Sequence, residues 1–379
     1  MKIVAAIDSF KGSLSTFESG AAVKEAAERV FGNVQVKICP LADGGEGTVN
    51  AVACGNGGKL CRAAVQGPLG QPVDAEYGVA GDTAIIEMSA AAGITLIGED
   101  ERNPLLTTTY GVGELISYAI RENGCRKFIV GIGGSATNDG GVGMLSALGF
   151  KFLDRKDREI PMGASGLASL DRIITDGAMP ELAECEFHIA CDVKNPLCGE
   201  NGCSAIYGPQ KGATEQMIKD MDGWLGHYAE LTAKVIGRDH RDLPGAGAAG
   251  GLGFAFVSYL GGSLESGIGL VMREIGLERE LSDADLVITG EGRLDSQSCM
   301  GKAPVGVAQA AKKHGKTVIA FCGSAADDAA LCNEYGIDAF FPIVQAPTTL
   351  ADAMNKENAY RNLMATAEQT FRLIRSIQK

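Results

Sequence analysis

The sequence predicts an α/β protein of two lobes: a Rossmann- or flavodoxin-like parallel-sheet lobe interrupted by a second, mixed α/β lobe. Three observations carry that prediction. Short apolar runs rich in β-branched residues end repeatedly in glycine loops that open helices, the layout of parallel α/β sheets. Two such runs lie at the start of the chain and three near its end, so they can share one sheet. From Cys61 to Met88, three short strands parted by Gly67-Pro-Leu-Gly70 and Gly81-Asp82 read instead as antiparallel hairpins. The expected lobes are residues 1–62 with 283–379, and an inserted lobe of residues 63–282.

Composition narrows the function. The 379 residues are 45% hydrophobic, enough for sizeable cores. The 52 glycines follow no collagen-like period and cluster just after apolar runs. Net charge is −13 and no dense Lys/Arg cluster occurs, so the electrostatic footprint for nucleic acid or anionic membrane is missing. No apolar run approaches the roughly 18 residues of a membrane span. Eleven cysteines without a C-x-x-C, in a chain that opens directly on a strand, suggest reduced thiols in a cytoplasmic protein. Cys191, Cys198 and Cys203 lack the spacing of a structural zinc site. An acidic protein that binds a phosphate compound must use backbone N–H groups, a few basic side chains and Mg²⁺.

Ile3 to Ile7 form the first strand. Ser15-Thr-Phe-Glu18 fits a capping box, so Asp8, Ser9, Lys11 and Ser13 lie in a loop between strand end and helix start. Open α/β sheets place ligands there. Val34 to Cys39 is the second strand. It feeds Ala42-Asp-Gly-Gly-Glu-Gly-Thr48, where carboxylates beside bare backbone suit Mg²⁺. Tyr110 to Arg121 reads as a helix.

Lys127-Phe-Ile-Val130 then leads into Gly131-Ile-Gly-Gly-Ser-Ala-Thr-Asn-Asp-Gly-Gly141, and a helix follows from Val142. Glycine lets backbone N–H groups approach a phosphate closely. Gly131, Gly133 and Ala136, with Asp154 at the end of the next strand, also come close to a dinucleotide fingerprint. A second match, Gly245 to Gly250, follows no strand.

Phe187 to Cys191 is a strand with Asp192 at its end. Thr214 to Ile236 contains a long helix, and Leu252 to Leu260 a buried one. Ala284 to Thr289 is a strand followed by Gly290-Glu-Gly-Arg-Leu-Asp295, read as a loop that crowds three ionisable groups together. Gly301-Lys-Ala-Pro304 starts a helix. Thr317 to Cys322 and Ala339 to Val344 are further strands, and Asn355 to Ile377 is a closing helix. The four histidines are scattered, and none suggests a triad.

Four motifs in this order, Asp8-Ser-Phe-Lys-Gly-Ser13, Ala42 to Thr48, Gly131 to Gly141 and Gly290 to Asp295, closely resemble those of the type I glycerate kinases. The resemblance covers nearly the whole chain. It implies an ATP- and Mg²⁺-dependent kinase acting on D-glycerate, with 2-phosphoglycerate favoured over the 3-phospho product. It also implies two α/β lobes with the site in the cleft. No G-x-x-x-x-G-K-[ST] occurs, so the P-loop arrangement is excluded.

Roles follow from the residues. Gly133, Gly134 and Ser135 cradle phosphate, with Asn138, Ser9 and Ser13 as further nucleotide contacts and Lys11 as the cationic clamp. Asp43 and Glu291 serve Mg²⁺. Asp192 is the candidate general base, and Arg293 can hold the glycerate carboxylate in a two-bond fork. Two alternatives stay open: an NAD-dependent oxidoreductase using Gly131 to Ala136, and a non-catalytic two-lobe protein that binds a sugar acid. A homo-oligomer is possible on the sequence.

Overall fold

Ile3-Val-Ala-Ala-Ile7 is buried along its whole length, a condition met by a central strand of a covered parallel sheet. The computed structural model describes residues 1–378, without the side chain of Met300. Its strands, in chain order, are β1 (Lys2–Ile7), β2 (Gln35–Ile38), β3 (Lys59–Gln66), β4 (Pro72–Ala80), β5 (Thr83–Glu87), β6 (Lys127–Gly131) and β7 (Lys151–Leu153). They continue with β8 (Arg172–Ile174), β9 (Glu186–Ala190), β10 (Ser263–Glu265), β11 (Leu286–Leu294), β12 (Thr317–Ala325) and β13 (Ala339–Pro342).

The chain divides into two compact units. Unit 1 is Met1–Asp43 with Ile268–Lys379, and unit 2 is Gly44–Gly267. These breaks lie inside the expected inserted lobe at one end and before it at the other. The helix Thr48–Gly55 packs on β3, β4 and β5, which draws residues 44–62 into unit 2. Ile268 packs against Gly306, and the helix Leu277–Ser282 lies on the helix Ala303–Lys313, which draws residues 268–282 into unit 1.

Unit 1 is one five-stranded parallel sheet in the order β13-β12-β11-β1-β2. The first two strands and the last three do share a sheet. Numbered within the unit, the order is 2-1-3-4-5, the flavodoxin-like arrangement. The helices Thr16–Phe31 and Lys356–Ile377 pack on each other, burying Ala22, Val23, Ala26, Leu363 and Phe371. The first is started by the expected capping box: Glu18 N donates to Ser15 Oγ, and Ser15 N donates to the Glu18 carboxylate.

One expectation for this unit is corrected. Gly290 to Leu294 is not a loop. β11 runs through it, with Glu291 opposite Cys322 and Arg293 opposite Ser324. β1 ends its pairing at Ile7 opposite Gly290, so the later residues of β11 project past β1.

Unit 2 holds a six-stranded mixed sheet, β10-β9-β6-β5-β4-β3. β3, β4 and β5 pair antiparallel as hairpins, but β5 then joins β6, β9 and β10 in parallel. Phe128 and Phe187 stack across β6 and β9, and Tyr228 from the helix Glu215–Ile236 fills the core without exposure. Trp224, one turn before Tyr228, packs against the same core. β7 pairs with β8 in a separate two-stranded sheet. The helix Ala248–Leu260 starts earlier than its apolar run suggests. It kinks at Ala249, Gly250 and Gly251, which take left-handed backbone angles. Among the described residues, no helix is long and apolar enough to cross a membrane.

Candidate active site

In unit 1, chemistry gathers where β1 and β11 end. This is the switch point of the 2-1-3-4-5 order, where the chain proceeds one way to β2 and the other way to β12. Open α/β sheets bind ligands at that crevice. The loop after β1 is tight: Phe10 N donates to Leu14 O at 2.8 Å and Ser13 N to Phe10 O at 2.7 Å. Phe10 and Leu14 anchor it in the core. Gly12 sits at φ +76°, a turn that an L side chain would strain. Thr16 Oγ1 donates to Ile7 O and accepts from Leu41 N, tying the end of β1 to the segment that leads to Asp43.

A cavity of ≈ 840 Å³ opens there. Asp8, Lys11, Asp43, Glu291, Arg293 and Lys302 form its polar side, with Ser9 and Ser13 beside them. Lys11 Nζ stands 3.3 Å from Asp43 Oδ2. The buried Asp8 carboxyl accepts from Ser9 N at 2.7 Å. Burial, and then the nearby Asp43 charge, push it up to about 7, with Glu291 adding and Lys11 opposing. Glu291 is also buried and raised, chiefly by desolvation, while Ser298 Oγ donates to it. Arg293 is exposed, its Nε 3.6 Å from Asp295 Oδ2. Ser13 Oγ is buried with no hydrogen-bond partner, an unsatisfied polar atom beside the cavity.

These residues bear on a metal. Among the described residues, no three Asp, Glu, His or Cys side chains stand close enough to cage an ion. Mg²⁺ needs no such cage, because it takes one or two carboxylates and keeps waters and phosphate oxygens. The raised Asp8 and Glu291 carboxyls, buried and facing the Asp43 charge, would be relieved by a cation. Asp43 and Glu291, with Asp8 added, therefore fit a Mg²⁺ that arrives with a phosphate ligand.

In unit 2, parallel strands again align loop ends. Gly131 of β6 stands between Glu87 of β5 and Ala190 of β9, so Asp192 follows β9 beside the loop that follows β6. Asp192 is exposed, and its Oδ1 accepts from Gly267 N at 3.0 Å. A side chain at Gly131 would put Cβ 2.3 Å from the Gly44 carbonyl oxygen, so only glycine fits.

The loop from Gly131 to Gly141 exposes only Gly133 and Gly134. The rest faces inward. Lys211, itself buried, donates to Ser135 Oγ at 2.8 Å and to Thr137 O at 2.6 Å. Burial pushes its ammonium down to about 8. Asn138 is fully buried and its amide donates to Ser204 Oγ. Asp139 accepts from Thr109 N and Oγ1 and from the Gly141 and Gly143 amides; burial still raises its carboxyl. The structure thus brings Ser9, Lys11, Ser13, Asp43, Glu291 and Arg293 together in unit 1. It offers Gly133, Gly134 and Asp192 at strand ends of unit 2, and it takes Asn138 out of reach of a ligand.

The dinucleotide fingerprint does not survive. Asp154 follows β7, which lies outside the sheet of β6, and its carboxylate is held by Arg158 at 2.7 Å in a turn. The histidines are structural: His188 meets Glu265, His227 the Leu170 carbonyl, His240 Ser258 and His314 Glu278.

Comparison with known proteins identifies the lineage. A sequence model of the glycerate kinase family matches residues 3–375. The chain belongs to the glycerate kinase family. It is 48% identical over 373 residues to the glycerate 2-kinase of Escherichia coli K12, covering 97% of this chain and 98% of that one. It is 47% identical to the glycerate kinase of Haemophilus influenzae Rd, covering 99% of each. The crystal structure of a proposed glycerate kinase 2 from Salmonella typhimurium LT2 superposes with a TM-score of 0.92 at 44% identity, over 100% of this chain and 99% of that one.

The sequence alone assigns no role to Asp8, Lys302 or Lys211. Asp8 had a signal, a carboxylate directly after a buried strand. Lys211 had none, because interior lysines are rare and nothing local marks one.

Proposed function

We propose that this glycerate kinase family member transfers the γ-phosphoryl group of ATP to a hydroxyl of D-glycerate, with 2-phosphoglycerate as the favoured product. The observation that carries the reading is the cluster of Asp8, Asp43, Glu291 and Lys11 on one cavity at the switch point of a parallel sheet. Phosphoryl transfer needs positioning and charge neutralisation more than covalent help from the protein.

Lys11 and Lys302 supply cationic contacts to phosphate oxygens. Mg²⁺ would be held by one or two of the Asp8, Asp43 and Glu291 carboxylates, and it would neutralise phosphate charge when bound. Arg293 forks onto the glycerate carboxylate. The exposed backbone of Gly133 and Gly134 cradles phosphate oxygens, braced from beneath by Lys211 through Ser135. Asp192, oriented by the Gly267 amide, accepts the proton of the attacking hydroxyl. Eleven cysteines, with no disulfide among the described residues, suit a reducing cytoplasm.

The test is an incubation of the full chain with D-glycerate, ATP and Mg²⁺, followed by phosphorus NMR. One ADP per phosphoglycerate, carrying phosphate at the 2-position, is expected. Absence of glycerate-dependent ADP would leave the chain a binding protein.

A further inference from the structure

We propose that the β13 side of the unit 1 cavity receives the nucleoside of the phosphoryl donor, with the base against Val344, Leu350 and Met354 and the phosphates running toward β1. This rests on the reading of the chain as an ATP-using kinase and says where the donor lies.

The strand order sorts the chemistry of the cavity wall. At β13 the lining is apolar, with Ile343 and Val344. At β12 it is small, with Gly323, Ser324 and Ala325. At β11 and β1 it is charged. Neighbouring strands lie about 4.8 Å apart, so β13 to β1 spans about 14 Å. That matches an extended nucleoside triphosphate from base to γ-phosphate. A three-carbon acid with oxygen on every carbon fills only the charged end and gains nothing from an apolar wall. A cavity of ≈ 840 Å³ is likewise in the range of a drug-sized ligand.

The apolar wall is exposed. Leu350 shows 76% of its surface, Met354 39% and Val344 36%. Three large apolar side chains turned to one cavity signal a ligand surface. Leu350 and Met354 lie on the helix Leu350–Met354, whose first turn is capped by Thr349 Oγ1 accepting from Asp352 N. A Cβ on Gly12 would come within 2.8 Å of Met354 Cε, so this roof reaches the loop that carries Lys11. The small β12 floor leaves room for the ribose midway.

The double variant Val344→Ser with Leu350→Ser tests this in the full-length enzyme. Both positions are exposed, so the fold is retained. The KM for ATP should rise about tenfold or more from lost apolar contact, while the glycerate KM and the kcat at saturating ATP stay within about twofold. Adenosine should compete with ATP in the wild type and lose that inhibition in the variant. Inorganic tripolyphosphate, which lacks a nucleoside, should inhibit both equally. An unchanged ATP KM, or an equal loss of tripolyphosphate inhibition, overturns the proposal. Calorimetric titration with ATP reads the same contact without turnover. Wild-type chain that binds ATP through this wall yet makes no phosphoglycerate would sink the kinase reading alone.

Discussion

Replacing Asp8 by Asn should stabilise the protein, and more so as pH rises. Asn is nearly isosteric and its Oδ1 keeps the bond from Ser9 N. What it removes is a buried charge facing Asp43 and Glu291. The sign follows from linkage. The folded carboxyl titrates at about 7 against an ordinary 3.8, so the native state binds this proton more tightly than the unfolded chain does. Native stability from this group is therefore whole below pH 3.8 and is lost as pH rises toward 7. With about 1.36 kcal/mol per pH unit, the loss reaches about 4 kcal/mol at pH 8 and under about 2 kcal/mol at pH 5. Asp8 is only 5% exposed, so solvent screening takes little away. Urea unfolding of wild type and Asp8→Asn, followed by circular dichroism in the presence of a chelator, measures the difference. Its growth by about 2 to 3 kcal/mol from pH 5 to pH 8 is expected. A difference that is flat with pH, or larger at pH 5, would refute the claim that burial and neighbouring carboxylates hold this group's proton. Phosphoglycerate formation should fall in the same variant, since the strained carboxylate is kept for a cation.

Three further outcomes are expected. Asp192→Asn should cut turnover by about 10²-fold or more with little change in the substrate KM values, and near-normal turnover would remove the base assignment. Arg293→Lys should chiefly raise the glycerate KM, because an ammonium cannot make the fork, and an unchanged KM would take Arg293 out of the site. Lys211→Met leaves Ser135 Oγ and Thr137 O without their buried donor, so a loss of about 2 to 4 kcal/mol in unfolding free energy is expected. A fully stable Lys211→Met chain would show that the loop is braced otherwise.

Much of the unit 1 sheet was legible because its strands are apolar runs of the right length, and because each ends in a loop that opens a helix. The Ser15 capping box was legible because it is a local pattern with one physical meaning. Gly290 to Leu294 reads locally as a loop for an equally clear reason. Two glycines and two charges disfavour a strand locally, yet pairing with β12 outweighs that preference. Within the polar run Ser135 to Asp139, the sequence reads Ser135 and Asn138 as nucleotide contacts. Three-dimensional neighbours distant in sequence, Thr109, Ser204 and Lys211, turn most of it into a buried scaffold. Only Gly133 and Gly134 remain outside. Asp8 could be placed from sequence, but its raised proton affinity comes first from burial and then from the Asp43 charge, with Glu291 adding, and no local pattern shows either.

Hydrogen–deuterium exchange of the full chain with and without Mg²⁺ and ATP tests the location of the chemistry most directly. Slower exchange is expected in peptides covering residues 8–14, 291–302 and 343–354, with none across 151–174. Protection confined to residues 142–154, with the ends of β1 and β11 unaffected, would contradict the account.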